Sequence, residues 1–141
     1  MQLTLENPDF DYFLRGANGS AALVNDRRLE RSFIVAPDAL VEDWGVASVD
    51  ALTVADLEAV LALDPEVVLL GSGDRQVFPP AQVLAACLAR GIGMDTMTND
   101  AVARTYQVLA GEGRRVGREA RHRVAVAAVE GVARQGMQQH P

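Results

Sequence analysis

The sequence predicts a single α/β domain in which short antiparallel strands precede a strand–helix–strand–helix unit. Three observations carry that prediction. Turn dipeptides cut the first third of the chain into short runs. Val67-Val68-Leu69-Leu70 is a continuous apolar run, as a strand covered on both faces requires. Helix-period segments flank that run on either side. At 141 residues and 49% hydrophobic content, the chain can bury a core without a disulfide or a metal.

In order, Asp11–Ala17 reads as a strand that ends at the turn dipeptide Asn18-Gly19, and Ala21–Val24 reads as the next. Asn25-Asp26 turns the chain into a strand over Leu29–Val35, which Pro37 closes. From Thr53 the period changes. Thr53 caps a helix with Val54, Leu57 and Leu61 on one face, and Pro65 lies beyond its end. After the strand at 67–70, Gly71-Ser72-Gly73 breaks the chain. Pro80 suits the first turn of a helix whose Val83, Leu84, Cys87 and Leu88 share a face, and Gly91 ends it. Ile92–Met97 is a second short strand, expected parallel to the first. Thr98 or Asn99 caps a third helix reaching about Ala110. Beyond Gly111, Val124–Val129 reads as a final strand, against a helix over Arg118–Arg134. One domain is expected over residues 1–135, with a disordered tail over 136–141.

Composition excludes several chemistries. All 13 basic residues are arginine. Without lysine there is no Schiff base, no pyridoxal-phosphate anchor and no P-loop lysine. The net charge of −6 argues against nucleic acid as a partner. The charge is uneven: residues 1–100 hold 16 acids and 6 arginines, whereas residues 101–141 hold 3 acids and 7 arginines. Cys87 is the only cysteine, which rules out an internal disulfide and leans towards a reducing compartment. Neither a leader nor a membrane-spanning run is recognised, so the expected protein is soluble and cytoplasmic, at most peripheral at the inner membrane face.

Ligands in open α/β sheets gather at the carboxyl ends of the strands. Two loops qualify here, Gly71-Ser72-Gly73-Asp74-Arg75 and Thr96-Met97-Thr98-Asn99. The candidate residues are Gly71, Ser72, Gly73, Asp74, Arg75, Asp95, Thr98, Asn99 and Arg104. A dinucleotide fingerprint fails because Gln76 stands where its third glycine belongs. Ser72 has no elbow sequence and no identifiable base. His122 and His140 lack partners at metal-ligand spacing, so no metal, cofactor or catalytic set is expected. Asp95, inside an otherwise apolar strand, needs a partner, and Arg104 is one candidate. Arg104 can alternatively pair with Asp100 one turn away. Tyr106, with Val102 and Leu109, is expected in the core. Trp44 is expected to cover its edge.

Taken in order, several segments resemble the family that contains complex I assembly factor 3 and its bacterial relatives. They are Ser32-Phe33-Ile34-Val35-Ala36-Pro37, Trp44, Leu70 through Arg75, Gly91-Ile92-Gly93-Met94-Asp95, and Thr98 through Leu109 to Glu112-Gly113-Arg114. The chain departs from the family pattern at Asp95, where glutamate is usual, and at Gly117–Arg123, which reads as an insertion. The resemblance implies a three-layer fold with a mixed sheet. For mitochondrial members it implies a non-enzymatic role, binding a partner during assembly of the respiratory NADH dehydrogenase. For bacterial members no biochemical activity follows from it. The expectation for this chain is a similar protein-interaction module, with respiratory-complex subunits or assembly factors as partners. The alternative is a binder, or an enzyme, for a small anionic or polar ligand between the 71–75 and 96–99 loops. A homodimer is compatible with the sequence, though no exposed apolar stripe demands one.

Overall fold

The computed structural model describes residues 12–18, 20–116 and 124–129. The insertion at 117–123, both histidines and the tail at 136–141 lie outside them. Among the described residues, eight strands fall into two sheets. Strands β1 (Leu14–Ala17), β2 (Ala22–Val24) and β3 (Arg27–Leu29) form an antiparallel meander. Strands β4 (Phe33–Ala36), β5 (Ala39–Val41), β6 (Val67–Gly71), β7 (Gly93–Met97) and β8 (Val124–Ala128) form a mixed sheet in the order β5-β4-β8-β6-β7. The helices are α1 (Glu58–Leu61), α2 (Ala81–Ala89) and α3 (Asn99–Val116).

The larger sheet is buried on both faces. Ile34, Val68, Leu70, Ala125 and Ala127 point to one core with Leu57, Val60, Val83 and Cys87. Phe33, Val35, Leu69, Val124 and Val126 point to the other, against α3 and the three-stranded sheet. Period-two alternation distributes one set of strands between two cores, which is the three-layer, mixed-sheet α/β fold expected. Strands β6 and β7 are parallel, with Leu69 opposite Asp95. The final strand is the central one: β8 runs parallel to β6 and antiparallel to β4. All five of its residues are buried.

Several boundaries differ from the sequence reading. The run at Leu29–Val35 is two strands in two sheets, because Glu30 and Arg31 are both exposed and cannot lie in one buried strand. Ser32, buried beyond the break, is held by its Oγ donating to Val46 O and its carbonyl accepting from Trp44 N at 2.8 Å. Pro37-Asp38 closes a two-residue hairpin into β5, which the sequence reading did not anticipate. Thr53 caps as expected, its Oγ1 accepting from Asp56 N at 3.1 Å while Asp56 Oδ2 accepts from Thr53 N at 3.0 Å. The helix that follows is only a 3-10 turn (Ala55–Leu57) running into α1, and it buries Leu57 and Val60 while Val54 is exposed. On α2, Val83 and Cys87 are buried, but Leu88 is 72% exposed and does not share their environment. At its end, Gly91 takes φ +75, and Ile92 N donates to Cys87 O at 2.9 Å.

Candidate functional site

The parallel register of β6 and β7 brings the two outgoing loops together. Ser72 N donates to Met97 O at 3.0 Å, and Asn99 N donates to Gly73 O at 2.9 Å. The candidate loops therefore converge, and their polar groups are largely engaged with each other. Ser72 is 3% exposed. Its Oγ donates to Arg75 O at 2.6 Å, lies 3.3 Å from Met97 O, and accepts from Val77 N at 3.0 Å. This hydroxyl folds the 72–77 loop and is not poised as a nucleophile.

Asn99 is the centre of the arrangement. Thr98 takes the capping role, its Oγ1 accepting from Ala101 N at 3.3 Å and its carbonyl from Val102 N at 2.9 Å. That leaves the Asn99 amide free to point between strands, where it is fully buried. Its Oδ1 accepts from Gly73 N at 3.0 Å, and its Nδ2 donates to Asn18 O at 3.0 Å and Val129 O at 3.2 Å. One side chain thus joins the ends of β6 and β8 to the turn between β1 and β2. Gly71 makes room for it: a Cβ there would collide with Asn99 Oδ1 and stand 3.2 Å from Ala128 Cβ. Gly73, at φ +95, supplies the left-handed turn. A further amide on α3 repeats the device, Gln107 Nε2 donating to Leu14 O at 3.1 Å and Arg15 O at 3.0 Å. Those carbonyls flank the irregular register of β1. Neither Asn99's reach across 81 residues nor Gln107's is signalled in the sequence.

The remaining candidates are exposed. Asp74 and Arg75 project from the first loop, and Asp95 lies on β7, the edge strand of the sheet. Edge position explains how a carboxylate is accommodated there: its side chain reaches water and needs no buried partner. Arg104 pairs with Asp100, not with Asp95. Gln76 Nε2 donates to Thr96 O at 2.7 Å, occupying one of the edge carbonyls of β7.

Elsewhere, Tyr106 is 1% exposed within the core, as expected. Trp44 packs against the first core and donates from Nε1 to Asp56 O at 3.0 Å. Burial pushes the Cys87 thiol up, partly offset by the Arg90 guanidinium, so this cysteine is a packed thiol at neutral pH. Among the described residues, no group of three or more His, Cys, Asp or Glu side chains could hold a metal ion. No helix among them is long and apolar enough to cross a membrane.

Residues 15–118 match the family described as "Protein of unknown function (DUF498/DUF598)". The chain belongs to that family. It is 53% identical to a Xanthomonas campestris protein solved by NMR, with a TM-score of 0.75 and 94% of each chain covered. It is 28% identical, over 74% of its length, to the human NADH dehydrogenase [ubiquinone] 1 alpha subcomplex assembly factor 3. It is 30% identical, over 50% of its length, to the 13 kDa major membrane protein of Francisella tularensis subsp. holarctica. The chain spans 58% of the length of each of these last two relatives. The likeness to assembly factor 3 and its bacterial relatives, drawn above from ordered motifs, is thus met again by independent comparison.

Proposed function

We propose that this family member is a non-enzymatic protein-interaction module, comparable in role to the respiratory complex I assembly factor it resembles. Its partners on this reading are respiratory-complex subunits or other assembly factors. Its place is the cytoplasm, with peripheral contact at the inner membrane face. The observation that carries the non-enzymatic part is the closure of the strand ends. Where an α/β enzyme presents polar groups to substrate, the Asn99 amide donates to Asn18 O and Val129 O and accepts from Gly73 N, and the Ser72 hydroxyl donates to Arg75 O. Three N–H groups at the start of α3 are likewise taken, by Gly73 O, Thr98 Oγ1 and Thr98 O. The human relative's name supports the assembly role.

Affinity purification of the tagged full chain from its native cell tests the proposal. Respiratory-complex or assembly proteins should co-purify in stoichiometric amounts, and repeated recovery of the chain alone would overturn it. A second reading keeps a small anionic or polar ligand at the same loops, because Asp74, Arg75 and Asp95 stand exposed around their junction. On that reading a ligand raises the melting temperature of the unaltered chain and fails to do so with Asp95→Ala. Equal stabilisation of both proteins would remove Asp95 from the site.

A further inference from the structure

Helices α1 and α2 cover the same side of the larger sheet, where Leu57, Val60, Val83 and Cys87 share one core. They finish at the same end: Gly93 N, just after α2, donates to Glu66 O, just after α1, at 3.0 Å. Between them runs an open groove of about 490 Å³. Val54, Glu58, Leu61 and Ala62 line it from the 3-10 turn and α1, at helical spacing, and Ala86 and Arg90 line it from α2. Leu61 and Ala86 pack on the core beneath, whereas Val54 is 42% exposed.

The groove holds one acid and one cation that do not pair. Elsewhere Arg15, Arg27, Arg28, Arg31 and Arg104 each meet a carboxylate. Among the described residues, Glu58 and Arg90 make no ion pair and no side-chain hydrogen bond, although they line the same groove from opposite helices. Both are exposed. Arg90 stands at the end of α2 and Glu58 one turn before the end of α1, so the two charges are staggered along the groove. The rest of the lining is apolar.

We propose that this groove is the contact between two copies of the chain related by a two-fold axis. Such a contact is reciprocal: where one residue meets a second, the second also meets the first. Glu58 then meets Arg90 of the partner subunit, and Arg90 meets Glu58 of the partner subunit, so one operation satisfies both charges. The ridge that carries Val54 seats in the other copy's groove, where the small side chains of Ala62 and Ala86 leave room for it. A small zwitterionic ligand is the weaker fit, because a groove with Val54, Glu58, Ala62 and Arg90 all exposed covers too little of it. An unrelated helix would need both signs of charge at this stagger, which a second copy already has. The inference stands apart from the assembly role proposed above.

The test is sedimentation velocity of the full chain at rising concentration and low salt. The unaltered chain should pass from monomer to dimer, and added salt should oppose the shift. Glu58→Arg and Arg90→Glu should each weaken the dimer about 25-fold, at about fivefold for each of the two reversed contacts. An equimolar mixture of the two variants should recover it, since each then meets the opposite charge at both contacts. Circular dichroism and melting confirm that the variants are folded. A monomer at every concentration would overturn the inference, as would a dimer indifferent to either substitution or a mixture that stays monomeric. Stabilisation of the unaltered monomer by free amino acids, lost with Glu58→Arg, would assign the groove to a small zwitterion instead.

Discussion

The junction of the β6 and β7 loops and the outer face of α2 invert each other. At the junction, polar side chains of the kind that bind ligands are buried and satisfied: Asn99 makes three hydrogen bonds to main-chain groups from three parts of the chain. On α2, apolar side chains of the kind that form cores stand in solvent, Leu88 foremost. The first region ties the layers together, and the second leaves apolar surface in water. Polarity alone is therefore a poor guide to which surface is available. What matters is whether each group already has its partner.

Substitutions at the junction should destabilise the protein, and those on the outer face of α2 should not. The largest effect is expected from Gly71→Ala. Its methyl displaces the Asn99 amide, leaving up to three buried main-chain groups unpaired at about 1–3 kcal/mol each. Urea unfolding should lose about 4 kcal/mol or more, and a loss below about 1 kcal/mol would break the comparison. Asn99→Ala should cost somewhat less, about 3 kcal/mol, because it removes the amide without adding bulk. Asn99→Asp sharpens the point. Its carboxylate would face the Asn18 and Val129 carbonyls, so its folded pKa rises. The folded state then holds its proton longer, and stability present at low pH is lost as the pH rises through the carboxyl range. Unfolding midpoints measured on both sides of that range would show the opposite trend if the amide were not buried against carbonyls.

Gln107→Ala should cost about 1 kcal/mol, since its contacts with Leu14 and Arg15 are partly open to water. It should also speed amide exchange in the three-stranded sheet. Cys87 gives an intermediate check on α2. Its thiol is raised above its ordinary value of 9.0, so the contribution to stability is full below that pH and falls as pH rises through it. A thiol reagent at neutral pH should modify it only as fast as the fold opens. The smallest effect is expected from Leu88→Ser, within about 0.5 kcal/mol of the unaltered chain by melting. A larger loss would mean that Leu88 packs within the chain after all.

Local sequence rules placed most of the elements because local chemistry formed them. The left-handed φ of 53 at Asn25 suits its two-residue turn, Thr53 and Asp56 cap each other, and Gly91 ends α2. The run Val124–Val129, weighed as a strand against a helix over Arg118–Arg134, forms a strand over Val124–Ala128 that is buried throughout. The Asp95–Arg104 pair failed since an edge strand gives its carboxylate water, and whether a strand lies at an edge is a property of sheet order. Leu88 was misplaced for a similar reason: helix period groups residues on a face without saying how wide a face the sheet covers.

The α/β class, the parallel pairing of β6 with β7 and the convergence of their loops were legible along the chain, because they follow from short-range periodicity and the handedness of strand–helix–strand connections. Long-range contacts settled the rest: β8 fills the centre of the sheet, Asn99 ties the layers together and Leu88 on α2 stays uncovered. Each of those depends on partners tens of residues away, and a linear pattern records the demand of a side chain for a partner but not which partner answers it.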